Sequence, residues 1–195
     1  YPAGSMGCFP LNTMITLEGG KQTPVQDITV GTLVRTHLGN TKPVTELHRR
    51  VYTGRWYHIQ PVGHLAIRAT PEHPFFVVDE GARDTEGRWL LAEELVAGQH
   101  LLLTPGAPNG ASYYRTHIRS IEVTEVTTPV FNFEVADDQS YVAYGFAVHN
   151  CHVRWDVCTI CGHRAPTRAQ YCTHALSHLN EILPDGRRVA VLNPS

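Results

Sequence analysis

Short apolar stretches punctuated by turn residues set the character of most of the chain. Thr13-Met14-Ile15-Thr16-Leu17 runs into Gly19-Gly20, and Thr29-Val30 and Thr32-Leu33-Val34 flank Gly31 before Gly39-Asn40. Val51 to Ile59 reads as one strand, with a bulge expected at Gly54. His64 to Thr70 and Phe75 to Val78 predict two more. Strands this short and this evenly separated predict an all-β sandwich or barrel-like domain. Arg88 to Leu95 is a brief apolar stretch after the turn at Glu86-Gly87, and Pro105 to Gly110 is the clearest internal linker. Ile118 to Val126, Val130 to Val135 and Tyr141 to Val148 then predict three strands. Beyond Cys151 the pattern changes. A helix is expected between Thr167 and Ile182, with Pro166 before it and Pro184-Asp185-Gly186 after it.

Composition narrows the picture. At 195 residues the chain has room for one ordinary domain and a small appendix. A formal charge of −2 gives no global reason to expect a nucleic-acid or membrane partner. No apolar run approaches the roughly 18 residues of a membrane span. The start at Tyr1-Pro2-Ala3-Gly4-Ser5 lacks an initiator methionine, the expectation for a piece of a longer chain. Of the five cysteines, only Cys8 precedes Cys151, Cys158, Cys161 and Cys172. That distribution makes a poor disulfide framework and a better pattern for reactive thiols or a metal site. Thiols that stay nucleophilic point to a reducing, cytoplasmic compartment.

Four stretches carry a more specific signal. They are Cys8-Phe9-Pro10-Leu11-Asn12-Thr13, with Gly31 downstream; Thr70-Pro71-Glu72-His73; Val130-Phe131-Asn132-Phe133-Glu134-Val135 through Tyr141-Val142-Ala143-Tyr144-Gly145; and Val148-His149-Asn150-Cys151. In this order they resemble the Hint superfamily, and within it the inteins, over residues 8 to 151. The resemblance implies an all-β Hint horseshoe with pseudo-twofold halves. Residues 8 to 150 leave no room for the endonuclease insert that many inteins carry, so no DNA cleavage is expected. Two positions depart from the family pattern: Asn132 stands where many inteins have Asp, and Gln139 where many have His. Neither amide can shuttle protons near neutral pH. Asp137 and Asp138 are the nearby titratable residues that could compensate.

The resemblance implies a role for each site residue. The Cys8 thiol attacks the Gly7 carbonyl in an N-to-S acyl shift, and Gly7 has no side chain to crowd that carbonyl. His73 is the expected acid for the departing Cys8 nitrogen, because imidazole titrates near working pH. Thr70 is expected to hydrogen-bond and orient the same region. The Cys151 thiolate takes the acyl group by transthioesterification. Asn150 cyclises to a succinimide and cuts the bond to Cys151, while His149 polarises the Asn150 carbonyl. A final S-to-N shift joins the flanks. This is single-turnover self-processing on the chain's own flanks, expected of a monomer and without a cofactor.

The appendix carries Cys158 and Cys161 as a C-x2-C pair. His174 and His178 complete zinc-finger spacing on one helical face. Alternatively Cys172 joins, with His174 or His178 as fourth ligand, a set favoured because thiolate is soft; His163 is a further candidate. A structural zinc is expected there. The division is residues 1–7 as an upstream flank, 8–150 as the Hint domain and 151–195 as a downstream flank with one helix. Self-cleavage without ligation, and a zinc-finger binding module with an inert β domain, remain the competing readings.

Overall fold

Pairing partners far apart in sequence dominate the architecture. The computed structural model describes residues 7–83, 87–103 and 113–150, with the backbone alone at 101–103. The expected helix at 167–182 and the linker at 105–110 lie outside these residues. Among the described residues, twelve strands form one sheet system: β1 (Phe9–Pro10), β2 (Met14–Thr16), β3 (Gln22–Pro24), β4 (Leu33–Arg35), β5 (Thr41–Pro61), β6 (Ile67–Ala69), β7 (Pro74–Val77), β8 (Arg88–Leu91), β9 (His100–Leu103), β10 (Tyr114–Val135), β11 (Ser140–Ala143) and β12 (Phe146–His149). The order is β3-β2-β11-β12-β7-β9-β10-β5-β4, with β1 on β10, β6 on β5 and β8 on β7. The expected all-β class is therefore observed. No helix among the described residues is long and apolar enough to cross a membrane.

The two longest strands, β5 and β10, form an antiparallel ribbon from Pro61 opposite Ile118 to Val44 opposite Val135. Here the structure corrects the sequence reading. The strand expected at 51–59 extends over the whole of β5, and the strands expected at 118–126 and 130–135 are one. β10 runs straight through Pro129 because its neighbours pair well: Thr127 faces Thr53, and their hydroxyls lie 3.1 Å apart. Gly54 carries no bulge. It sits opposite Val126 in continuous register, and the ladder shifts instead between Ile118 and Ser120 and between Glu134 and Val135. The single strand expected at 141–148 is a hairpin, β11–β12, turning through Tyr144 (φ 50°) and Gly145 (φ 84°). Positive φ at both central residues is the two-residue turn that matches strand twist. Tyr at its first position hid it from sequence.

Strands β7, β11 and most of β12 are buried along their length. Their near-continuous apolar runs, rather than alternation, reflect cover on both faces. Phe9, Ile15, Val34, Ile59, Ile67, Phe75, Phe133 and Phe146 belong to the main core. Cys8, Trp56 and Val130 form a separate small cluster. That cluster puts the amino end of the described chain inside the protein.

Ile59 is fully buried in the ribbon, opposite both Ile121 and Ile67. Ile59→Ala should cost about 2–5 kcal/mol through lost burial and the cavity left behind. Val123→Ala, at a half-exposed position of the same ribbon, should change stability by under about 0.5 kcal/mol. Urea unfolding midpoints at unchanged slope check the contrast.

Candidate functional site

The amino-terminal junction is fixed by strand pairing. Phe9 and Pro10 pair with Phe131 and Val130, which brings Gly7 and Cys8 alongside Asn132. Thr70 holds the Cys8 backbone from both sides: its amide donates to the Cys8 carbonyl (3.1 Å), and its Oγ1 accepts from the Cys8 N–H (2.8 Å). Asn132 Nδ2 donates to the Gly7 carbonyl at 2.5 Å. Asn132 Oδ1 in turn accepts from the Phe133 amide (2.7 Å) and the Tyr141 hydroxyl (2.8 Å). Asn132 was legible in the sequence only as a departure from a family pattern. Its contact with the Gly7 carbonyl was not.

Gly7 is packed against backbone. A Cβ there would lie 2.4 Å from His73 Cα, 2.8 Å from His73 N and 2.9 Å from the Glu72 carbonyl oxygen. None of these is the end of a flexible side chain, so the position admits glycine alone.

Burial governs the two titratable groups beside this junction. Cys8 is 1% exposed, and burial pushes its thiol up to about 11. The Arg50 guanidinium, by charge and hydrogen bond, pulls the other way, and Glu72 adds to the rise. Cys8 is thus a protonated thiol near neutral pH. His73 is fully buried against Phe9 (ring centroids 4.0 Å apart) and Phe75 (5.6 Å). Burial drives its pKa down to about 3; the Gly7 backbone opposes this and His149 reinforces it. Neither ring nitrogen has a hydrogen-bond partner among the described residues. The expectation that His73 titrates near working pH is therefore corrected: desolvation keeps the ring neutral.

The carboxy-terminal junction follows β12. His149 Nδ1 lies 2.6 Å from the Asn150 carbonyl oxygen. Asn150 is 2% exposed, and its amide N–H donates to the Gln139 carbonyl (2.9 Å). With its side-chain amide turned to suit its neighbours, Oδ1 accepts from Val135 N (3.1 Å) and Nδ2 faces the Gln139 carbonyl and His149 Nδ1. Gln139 adopts φ 49°, so its carbonyl meets Asn150 from a left-handed bend. Trp89 meets the His149 ring edge-to-face at 4.9 Å and also meets His37, whose Nδ1 lies 2.6 Å from Ser140 Oγ. Trp89 and His37 lie outside the stretches that carried the sequence signal, and nothing in their spacing pointed to them.

Asp137 and Asp138 have other partners. Asp137 pairs with Lys42 at 2.7 Å. Asp138 accepts from Thr36 (2.6 Å) and Asn40 (2.9 Å). Its burial opposes ionisation, but those bonds, with Lys42 and His37, hold its carboxyl below the usual range. Cys151 and the zinc candidates Cys158, Cys161, Cys172, His174 and His178 lie outside the described residues. Among the described residues, Glu46, His48 and Glu134 could hold a metal, with one ligand atom each within 4.8 Å of the others.

No family model matches the chain. It is 49% identical over 39 residues to iron-sulfur cluster assembly SufBD family proteins of Mycobacterium bovis and Mycobacterium tuberculosis. It spans 5% of the length of those relatives. Its structure is similar to a DnaB intein from Synechocystis, with a TM-score of 0.62 and 20% identity over 75% of this chain and 99% of that one. It is similar to the gp41-1 intein at a TM-score of 0.59 and 20% identity, covering 75% of this chain and 100% of the other. A bacterial intein-like domain from Clostridium thermocellum gives 0.59 and 25% identity, again over 75% and 100%. The fold is the Hint fold of the inteins.

Two outcomes follow from this geometry. Gly7→Ala should displace the Gly7–Cys8 peptide from Asn132 and Thr70, seen as loss of their slowed amide and side-chain proton exchange by NMR. Separately, stability should fall as pH drops from about 6.5 toward 3, because the unfolded chain protonates His73 and the folded one does not. His37, also lowered by burial, acts with the same sign. His73→Gln should flatten the plot of urea midpoint against pH between 6.5 and 4, and an unchanged slope would contradict the buried neutral ring.

Proposed function

We propose that this chain, which has the Hint fold, is a protein-splicing domain that excises residues 8–150 and joins its flanks. One observation carries the reading: within one unit of that fold, each of the two expected scissile carbonyls has a side-chain nitrogen at its oxygen. Asn132 Nδ2 is on Gly7 and His149 Nδ1 is on Asn150. A carbonyl whose oxygen is held by a donor is the more electrophilic one.

The first step forms a bond between Cys8 Sγ and the Gly7 carbonyl carbon and breaks the bond from that carbon to Cys8 N. The thiol proton ends on the released amine. A buried, neutral His73 suits relay better than standing acid: one ring nitrogen gives its proton to the departing nitrogen as the other takes the thiol proton, so no imidazolium forms. Thr70 Oγ1, holding the Cys8 N–H, keeps that nitrogen oriented for protonation. Raising the Cys8 thiol to about 11 holds the residue inert until this transfer.

In the second step the Cys151 thiolate displaces Cys8 from the acyl carbon, and Cys8 recovers its thiol proton. In the third, Asn150 Nδ2 bonds to its own carbonyl carbon, and the bond to Cys151 N breaks with the proton passing to that nitrogen. In the tautomer that carries its proton on Nδ1, His149, 2.6 Å from the Asn150 oxygen, stabilises the charge developing there. The Gln139 carbonyl facing Asn150 Nδ2 is the acceptor that aligns the attacking amide. A last S-to-N shift leaves Gly7 bonded to Cys151 by an ordinary amide. No outside reactant is consumed. Zinc in the segment from Cys158 to His178 belongs to this reading as a structural ion of the downstream flank.

Intact-mass spectrometry of the reduced precursor, with chelator, tests it. Splicing yields a species for residues 8–150 and one for the joined flanks; two separate flanks would mean cleavage without ligation, and an unchanged mass would sink the proposal. Asn150→Ala should abolish release at the 150/151 bond while leaving the Gly7–Cys8 bond open to cleavage by hydroxylamine or dithiothreitol.

A further inference from the structure

We infer that Asn132 is a catalytic residue of the first step, the donor that stabilises the oxyanion formed on Gly7, and that Tyr141 is the positioning residue that aims it. The inference deepens the splicing reading and rests on it. When Cys8 Sγ adds to the Gly7 carbonyl carbon, the electron pair of the C=O bond moves onto the oxygen. That oxygen already accepts from Asn132 Nδ2. The donor is 2% exposed, so little water screens the contact. A pre-aimed donor in such a site needs no rearrangement as charge develops.

The orientation of the amide is fixed by its other end. Oδ1 accepts two hydrogen bonds, from the Phe133 N–H and the Tyr141 hydroxyl. Flipping the amide would set Nδ2 against the Phe133 N–H and Oδ1 against the Gly7 oxygen, replacing attraction by repulsion. The Phe133 amide is immovable within β10. Tyr141 is itself fully buried, stacked at 4.2 Å on Phe133 and edge-on to Phe9 at 6.2 Å. Its hydroxyl is therefore a fixed partner on β11.

The same two donors show why an amide rather than a carboxyl suits the position. An Asp at 132 would have its carboxylate stabilised by Phe133 N–H and the Tyr141 hydroxyl. Ionised, it would present a lone pair and a negative charge to the Gly7 oxygen, just where negative charge must grow. Only the protonated acid could donate there. Asn offers the donor at every pH and has no proton to give away. The substitution that looked like the loss of a proton carrier is, at this atom, the gain of a permanent donor.

The test isolates the first step in the full chain carrying Asn150→Ala and Cys151→Ala. The readout is the rate of dithiothreitol-induced cleavage at Gly7–Cys8 between pH 5 and 9. Asn132→Ala should slow it by about 10²–10³-fold, the usual loss of one oxyanion donor. Asn132→Asp should be as slow at pH 8, yet its rate relative to the parent should climb as acid protonates the carboxyl. Tyr141→Phe should fall between parent and Asn132→Ala with no new pH dependence. The acid recovery in Asn132→Asp is the reading that a folding defect cannot produce. A parent that shows no thiol-dependent cleavage sinks the splicing reading and this inference together. A parent that cleaves while Asn132→Ala and Asn132→Asp match it, or lag it equally at every pH, overturns this inference alone.

Discussion

The antiparallel ladder between Thr41–Pro61 and Tyr114–Val135 is the constraint on which the rest of the molecule depends. Strand side chains alternate between faces, so a slip of one residue along this ladder would reverse every position on it. Asn132 would then turn away from Gly7. Ile59 would leave the core, and the pairing of Phe9 with Phe131 would have to be rebuilt. The ladder is long, and its two register shifts lie near its ends, which leaves the stretch around the site regular. The Gly7 carbonyl, which accepts from Asn132 Nδ2, is thus anchored to the longest ladder among the described residues.

Four polar side chains at the two junctions are buried and uncharged. Cys8 stays a thiol, His73 an unprotonated ring, and Asn132 and Asn150 are amides. Burying charged groups in their place would cost far more, since an uncompensated charge in such a setting shifts its pKa and neutralises instead. The main-chain groups are satisfied by a few side chains with fixed geometry: Thr70 at Cys8, Asn132 at Gly7, His149 and Gln139 at Asn150. Two charged residues nearby, Asp137 and Asp138, hold the turn that precedes β11 against β5 and the turn between β4 and β5.

Much of this was open to sequence reading, for identifiable reasons. Turn glycines and short apolar runs gave the all-β class because pleated strands demand that pattern. The blocks around Cys8, Thr70, His73 and His149-Asn150 were visible because the residues that hold a junction sit in short contiguous stretches. What failed to show was set by long-range pairing. The continuity of β10 through Pro129 depends on Thr53 and Tyr52 across the ribbon, and the turn at Tyr144-Gly145 uses a residue seldom found at positive φ. The state of His73 depends on Phe9 and Phe75 closing over it, which no local window contains. Asn132 was misleading for a related reason: its residue type was legible, but the atom it faces belongs to Gly7, distant along the chain.

The wall of backbone around Gly7 also bears on where such a domain can live. Under the splicing reading, Gly7 belongs to the host and remains in it after excision, next to Cys151. The host therefore contributes part of the active site, and it contributes a void. A copy of this domain transferred into another gene would need a glycine immediately upstream of its new junction, and a cysteine tolerated immediately after it. Its portability is limited by the absence of a single methyl group. The shape of one pocket thus restricts its possible addresses to glycine–cysteine steps that the recipient protein already carries or can accept.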